Sequence, residues 1–215
     1  MKLTILGATG GIGGHLVRQA LDAGHTVTAV VRDPSRLTVD RPDRPELRVA
    51  VVPDVTDPEA LGSVVSGRDA VLSALGPPGR RPVGIASAAT RAILTAMDSV
   101  GVRRILVVSA APVGPTPQGE GLFLRTVATP MIRAILRDGY ADLALMERSL
   151  QAGSADWTAV RPPRLTDKPL TRHYRTAVGG PLANAWSISR ADTAHAMLAA
   201  VADPATYRQP LSVAY

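Results

Sequence analysis

Gly7, Gly10 and Gly13, at three-residue intervals, are the residues of this chain whose type and spacing most directly imply chemistry. They belong to Gly7-Ala8-Thr9-Gly10-Gly11-Ile12-Gly13, which separates a short apolar run, Leu3 to Leu6, from an apolar helical pattern at Leu16, Val17, Ala20 and Leu21. The order is strand, turn, helix. Gly7 takes a backbone conformation that a Cβ hinders, Gly10 lets the main chain approach a pyrophosphate, and Gly13 allows helix and strand to pack tightly. The free N–H groups and the positive dipole end of the new helix then face an anion. A ligand-free tight turn could use the same glycines. The strand before, the helix after and the repetition of this pattern along the chain favour a dinucleotide, with Gly7, Thr9, Gly10, Gly11, Ile12 and Gly13 as contacts.

Further candidates stand at the ends of other apolar runs. Thr26 to Val31 is followed by Arg32-Asp33-Pro34-Ser35-Arg36. At this place an acidic residue favours NAD, whereas arginine accommodates the extra phosphate of NADP. A guanidinium pairs with phosphate and stacks on a purine, so Arg32 and Arg36 favour NADP(H); the competing account is two solvated arginines in a turn. Asp54 and Val55 follow a third run, Leu47 to Val52, where such folds flank the adenine. Leu75-Gly76-Pro77-Pro78 ends a fourth, Asp69 to Ala74, and Ser109 ends a fifth, Arg103 to Val108. Other chemistries find no support. There is no cysteine, His15, His25, His173 and His195 have no metal-ligand spacing, and no serine sits in a G-x-S-x-G turn.

The elements that must position these residues alternate between strand and helix. Asp57-Pro58-Glu59 reads as a helix start with Asp57 as cap. A long helix is expected from Val83 to Val100 with Ile93, Leu94 and Met97 inward, and a Pro/Gly-rich loop from Pro112 to Gly119. Helical patterns continue to Ala152 with a break near Asp138-Gly139. A sixth strand follows from Asp156 to Val160, then a strand from Tyr174 to Val178, a helix from Ser189 to Val201 and a last strand from Leu211 to Val213. Strands alternating with helices over short loops imply a parallel sheet wound on both faces. Right-handed crossovers then bring the strand ends to one edge, at the topological switch point.

Composition bounds the remainder. The 215 residues suit one domain, 1–215, in which the part from about 162 onward forms a small substrate-side lobe. Hydrophobic residues make up 46% but aromatics only 3%, so Val, Leu, Ile and Ala must build the core. The net charge of +6 is carried by scattered arginines without aromatic interleaving, which points away from nucleic acid. No signal-peptide pattern and no membrane-length apolar run is present, so a cytoplasmic protein without a membrane partner is expected.

The ordered set Gly7–Gly13, Val31-Arg32-Asp33-Pro34-Ser35-Arg36-Leu37, Asp54-Val55-Thr56-Asp57, Leu75-Gly76, Asp156 to Pro163, Asp167-Lys168-Pro169-Leu170-Thr171 and Ile188-Ser189-Arg190-Ala191-Asp192 resembles the atypical short-chain dehydrogenases/reductases. Within them it is most similar to the NAD(P)H-binding or NmrA-like group and its biliverdin IXβ reductase/flavin reductase branch. The resemblance implies a Rossmann-like α/β fold, with NADP(H) held by its 2′-phosphate at Arg32 and Arg36 and its adenine beside Asp54 and Val55. The nicotinamide then lies between Ser109 and the Pro162-Pro163 loop. Ser109 becomes the candidate catalytic residue, orienting the carboxamide or relaying a proton, unless it only satisfies backbone groups at a strand end.

Two departures narrow the chemistry. The superfamily's Tyr-x-x-x-Lys pair is missing, since Tyr140 is followed four residues later by Ala144. The branch's substrate-side histidines are replaced by residues such as Glu147 and Arg164. Glu147 is expected as a helix-surface carboxylate paired with Arg148 or Arg133, with a general base as the alternative; Arg164 either holds an anionic group of the acceptor or is a surface arginine. A flavin or quinone takes hydride with little help beyond positioning. An NADPH-dependent reductase of a flavin, quinone or similar conjugated acceptor is therefore expected, with a non-catalytic NmrA-like redox sensor as the alternative. The absence of a long interface helix favours a monomer or a weak homodimer.

Overall fold

A computed structural model of the protein describes residues 1–39, 44–76, 84–115 and 137–215. Pro77, Pro78, Val83, Arg133 and parts of the loops expected at Asp40 to Pro45 and Pro112 to Gly119 lie outside the described residues. The elements are β1 (Lys2–Leu6), α1 (Gly11–Asp22), β2 (Thr26–Val31), β3 (Leu47–Val51), α2 (Pro58–Val65), β4 (Ala70–Ser73), α3 (Ile85–Val100) and β5 (Arg104–Val108). They continue with α4 (Arg137–Ala152), β6 (Asp156–Arg161), β7 (Arg164–Thr166), β8 (Arg175–Val178), β9 (Ser187–Ser189), α5 (Arg190–Ala200) and β10 (Gln209–Ala214).

Apolar residues on both faces make a strand stable only where both faces are covered, and β2 shows how. Val27, Ala29 and Val31 enter one core, shared with α1 and α5, while Val30 enters the other, shared with α2, α3 and α4. Leu106 and its neighbours Ile105 and Val107 divide between the same two cores in β5. Eight of these strands form one sheet in the order β3-β2-β1-β4-β5-β6-β10-β8. Every pair in it is parallel except β10 with β8. This is a Rossmann-like, doubly wound α/β sheet, whose order reverses direction between β1 and β4.

Local chemistry sets the helix starts. Asp57 accepts a hydrogen bond from the Glu59 N–H at 2.9 Å and precedes Pro58, as a cap should. The start of α3 is capped from another element: the buried Asp142 carboxylate on α4 accepts from the N–H groups of Ala86 and Ser87 at 3.0 and 3.1 Å. That link fixes α4 against α3. Continuous helix runs through Asp138-Gly139, where the sequence suggests a break. A helical glycine costs only about 1 kcal/mol relative to alanine, and the buried Met146 and Leu150 further along give α4 a packed face that offsets it.

In the last third, strands β10 and β8 extend the main sheet, and among the described residues the short parallel pair β7 and β9 stands apart from it, with Arg164 opposite Ser187. Three-residue strands are too short to leave an alternation in the sequence. Tyr174 precedes β8 rather than beginning it, and its hydroxyl lies 2.6 Å from His195 Nδ1.

Candidate coenzyme site

A cleft of about 680 Å³ opens at the carboxyl ends of β1, β2 and β4. Gly7, Thr9, Gly10, Gly11 and Ile12 form one side; Val30, Val31, Arg32, Pro53, Asp54 and Val55 close one end; Ala74, Leu75 and Gly76 face them; and Ile85, Val108, Leu165 and Arg190 complete the lining. The glycine loop is shaped by two close approaches. Gly7 has φ +75°, and a Cβ there would lie 2.6 Å from the Ala74 carbonyl oxygen. A Cβ on Gly13 would lie 2.0 Å from the Gly7 carbonyl oxygen, far inside contact distance. The turn closes through Gly10 N–H to the Gly7 carbonyl at 2.9 Å, and the first bond of α1 runs from Gly14 N–H to the Gly10 carbonyl at 2.8 Å. The N–H groups of Gly11, Ile12 and Gly13 precede that bond and have no intrahelical acceptor. No side chain caps the helix and no acid stands in its first turn. This donor set, at a positive helix end, fits a diphosphate.

The ribose end carries charge of the matching sign. Arg32 is exposed and lines the cleft; Arg36 is exposed but outside the lining. Among the described residues neither forms an ion pair. The neighbouring Asp33 is turned to its own loop, accepting from Ser35 Oγ at 2.7 Å and Ser35 N–H at 3.0 Å. Those two bonds, the hydroxyl first, hold its carboxyl below the usual range. Asp54 has the same arrangement with Thr56, whose hydroxyl and N–H donate at 2.6 and 2.8 Å and likewise lower its carboxyl.

Several expected residues stand outside the lining. Pro162 is buried and its carbonyl accepts from Ala111 N–H at 2.9 Å, tying together the chain beyond β5 and β6; Pro163 beside it is half-buried. Arg164 is exposed, whereas the next residue, Leu165, faces the cleft. Ser109 is buried, and its hydroxyl donates to Glu147 Oε1 at 2.6 Å. Glu147 is not the surface carboxylate expected from sequence. It is 3% exposed and its partner is Arg161, through Nε at 3.0 Å and through Nη2 to Oε2, while Arg148 is exposed. A buried carboxylate requires such a partner, and β6 supplies it because that strand runs one residue further, to Arg161. Tyr140 is half-buried on α4, where burial raises its hydroxyl above the ordinary range.

Arg190 was missed from sequence as a cleft residue. It is the first residue of α5, a position where the helix dipole disfavours a cation. That mismatch, inside Ser189-Arg190-Ala191-Asp192, was the available signal. Among the described residues no group of three or more potential metal ligands occurs, and no helix is long and apolar enough to cross a membrane.

A doubly wound sheet with an open, amide-lined glycine loop at its switch point defines a dinucleotide-binding protein. The chain belongs to the NAD(P)H-binding family, whose model matches residues 7–204. It is 28% identical over 181 residues, 79% of its length, to an uncharacterised chloroplastic protein of Arabidopsis thaliana, and spans 61% of that protein. A candidate exported protein of Burkholderia pseudomallei superposes with a TM-score of 0.79 at 26% identity, with all of both chains covered. A candidate NADH-flavin reductase of Streptococcus pneumoniae superposes with a TM-score of 0.80 at 23% identity, over 100% of this chain and 99% of that one. The latter likeness is one of fold.

Proposed function

We propose that the protein is an NADPH-dependent reductase that passes hydride to a flavin, quinone or similar conjugated acceptor. The observation that carries the proposal is the pairing of an open glycine-loop anion site with the exposed Arg32 at the other end of the same cleft, which forms no ion pair among the described residues. Residues Gly11, Ile12 and Gly13 donate to the diphosphate, Arg32 to the 2′-phosphate, and Asp54 and Val55 flank the adenine. When bound, the coenzyme supplies a hydride from its reduced ring. Val108, Ile85 and Leu165 belong to the apolar part of the cleft and would help to keep water from the bound coenzyme.

Tyr140 has no lysine four residues later, so ketone chemistry that needs a strong general acid is disfavoured. The acceptor takes its proton from solvent, and positioning supplies most of the rate. The flavin reductase resemblance of the S. pneumoniae protein supports the acceptor class.

One observation favours a second account, a coenzyme-binding redox sensor without turnover: the Ser109 hydrogen is already donated to Glu147. One assay separates the two. The purified protein is mixed with NADPH and, in turn, FMN, FAD, quinones and linear tetrapyrroles, and the reduced-nicotinamide absorbance is followed. Turnover with any of them supports the reductase; tight NADPH binding with a flat trace throughout refutes it in favour of the sensor.

A further inference from the structure

The positive end of α1 carries more cationic character than its glycine loop needs. Arg190 reaches it from the other end of the chain. Its stem lies across the first helical residue: a Cβ on Gly11 would approach Arg190 Cδ to 2.5 Å and Nε to 2.9 Å. The side chain lines the cleft together with Gly10, Gly11 and Ile12. Both helices present their positive ends here, because Arg190 is itself the first residue of α5 and the Ser189 hydroxyl caps that helix by accepting from Asp192 N–H at 2.9 Å. A hydrogen bond from Gln19 Nε2 to the Ala191 carbonyl at 2.9 Å holds the two helices in this relation. At α5 the buried Asp192 in the first turn offsets the dipole, but the start of α1 has neither a side-chain cap nor an acid and repels a guanidinium, so a plain structural role is a poor explanation of its type and place.

Its anionic partner is Asp167, 2.6 Å from Nη1, whose side chain is 89% exposed. A pair whose carboxylate is this exposed contributes little to stability, although Arg190 itself is half-buried. Asp167 therefore behaves as a replaceable anion at a place built for a stronger one. Extending the coenzyme proposal for the cleft, we propose that Arg190 is a ligand of the coenzyme diphosphate and that Asp167 occupies its guanidinium until the coenzyme displaces it. A charge-assisted, forked pair with phosphate outcompetes one exposed carboxylate. The displaced Asp167 lies just before Thr171 and Arg172, whose N–H groups donate to the buried Asp192 at 2.9 and 2.7 Å. The exchange is thus confined to the Asp167 end of that segment.

The test is a calorimetric titration of the full chain with three ligands: NADPH, ADP-ribose, which keeps the diphosphate but lacks the 2′-phosphate, and adenosine 2′-monophosphate, which keeps only the latter. Arg190→Gln is expected to weaken NADPH and ADP-ribose by about 10- to 100-fold, the range for a charge-assisted bond, and to leave adenosine 2′-monophosphate unchanged. Arg190→Lys is expected to fall between. Asp167→Asn is expected to tighten NADPH a few-fold, and to have no such effect in the Arg190→Gln background. Wild-type affinity for NADPH and ADP-ribose in Arg190→Gln overturns the proposal. So does an equal loss of all three ligands, which would mark a packing role over Gly11, and so does weaker NADPH binding in Asp167→Asn. Failure of the unaltered protein to bind NADPH at all would instead remove the coenzyme reading of the cleft.

Discussion

Replacing Glu147 by glutamine should be among the most damaging isosteric changes in this protein. The carboxylate is 3% exposed and receives the Ser109 hydroxyl at 2.6 Å, Arg161 Nε at 3.0 Å and Arg161 Nη2. The amide keeps one acceptor oxygen but no charge, leaving the Arg161 guanidinium, itself in a residue 9% exposed, without a counter-ion. Breaking one side of a buried pair costs about 3–5 kcal/mol; the remaining acceptor argues for the lower end, about 3 kcal/mol. For a chain of this size about 2–4 °C of Tm corresponds to each kcal/mol, so Glu147→Gln should melt about 6–12 °C below the unaltered protein. Circular dichroism melts of Glu147→Gln, Glu147→Leu, Arg161→Met and the double variant Glu147→Leu/Arg161→Met test this. The double variant should recover much of the loss, because no lone charge stays buried. Single variants within about 2 °C of the unaltered protein, or a double variant whose loss is the sum of two leucine- and methionine-substituted singles, would refute the reasoning.

Other outcomes follow from the same geometry. Gly13→Ala places a Cβ 2.0 Å from the Gly7 carbonyl oxygen, so it should raise the Kd for NADPH at least about 10-fold by misplacing the loop amides; unchanged calorimetric affinity would contradict this. Arg32→Ala should weaken NADP about 10-fold or more relative to NAD, and Arg36→Ala less, because of these two Arg32 lines the cleft and Arg36 does not; parallel losses for both coenzymes would remove the 2′-phosphate assignment. Asp192 is buried, which raises its carboxyl, but the donors Tyr215 Oη, Arg172 N–H and Thr171 outweigh burial and hold it below the usual range. A depressed carboxyl contributes stability above its unfolded pKa of about 3.9 and loses it as the pH falls through the folded value. Asp192→Asn should therefore cost about 2–4 kcal/mol at neutral pH and flatten the loss of Tm below about pH 4; an unchanged acid limb would count against the network.

The sequence alone determined what depends on neighbours along the chain. Gly7, Gly10 and Gly13 declare a strand–turn–helix because backbone freedom is a local property. Asp57-Pro58 declares a helix start for the same reason, and two-sided apolar strands such as Thr26 to Val31 declare a buried parallel sheet. Arg32 at a strand end was legible because the winding rules place all such ends on one edge.

Tertiary structure decided what depends on distant partners. Glu147 reads as a surface residue until β6 lays Arg161 against it, since the burial of a charge is a property of what covers it and not of its own segment. Arg190 lies far along the chain from Gly11 and reaches it only because α1 and α5 share one face of the sheet. The β7 and β9 pair left no trace in the sequence, being too short for a periodic pattern. Local spacing thus specified the clasp, while the packing of remote elements chose the side chains that surround it.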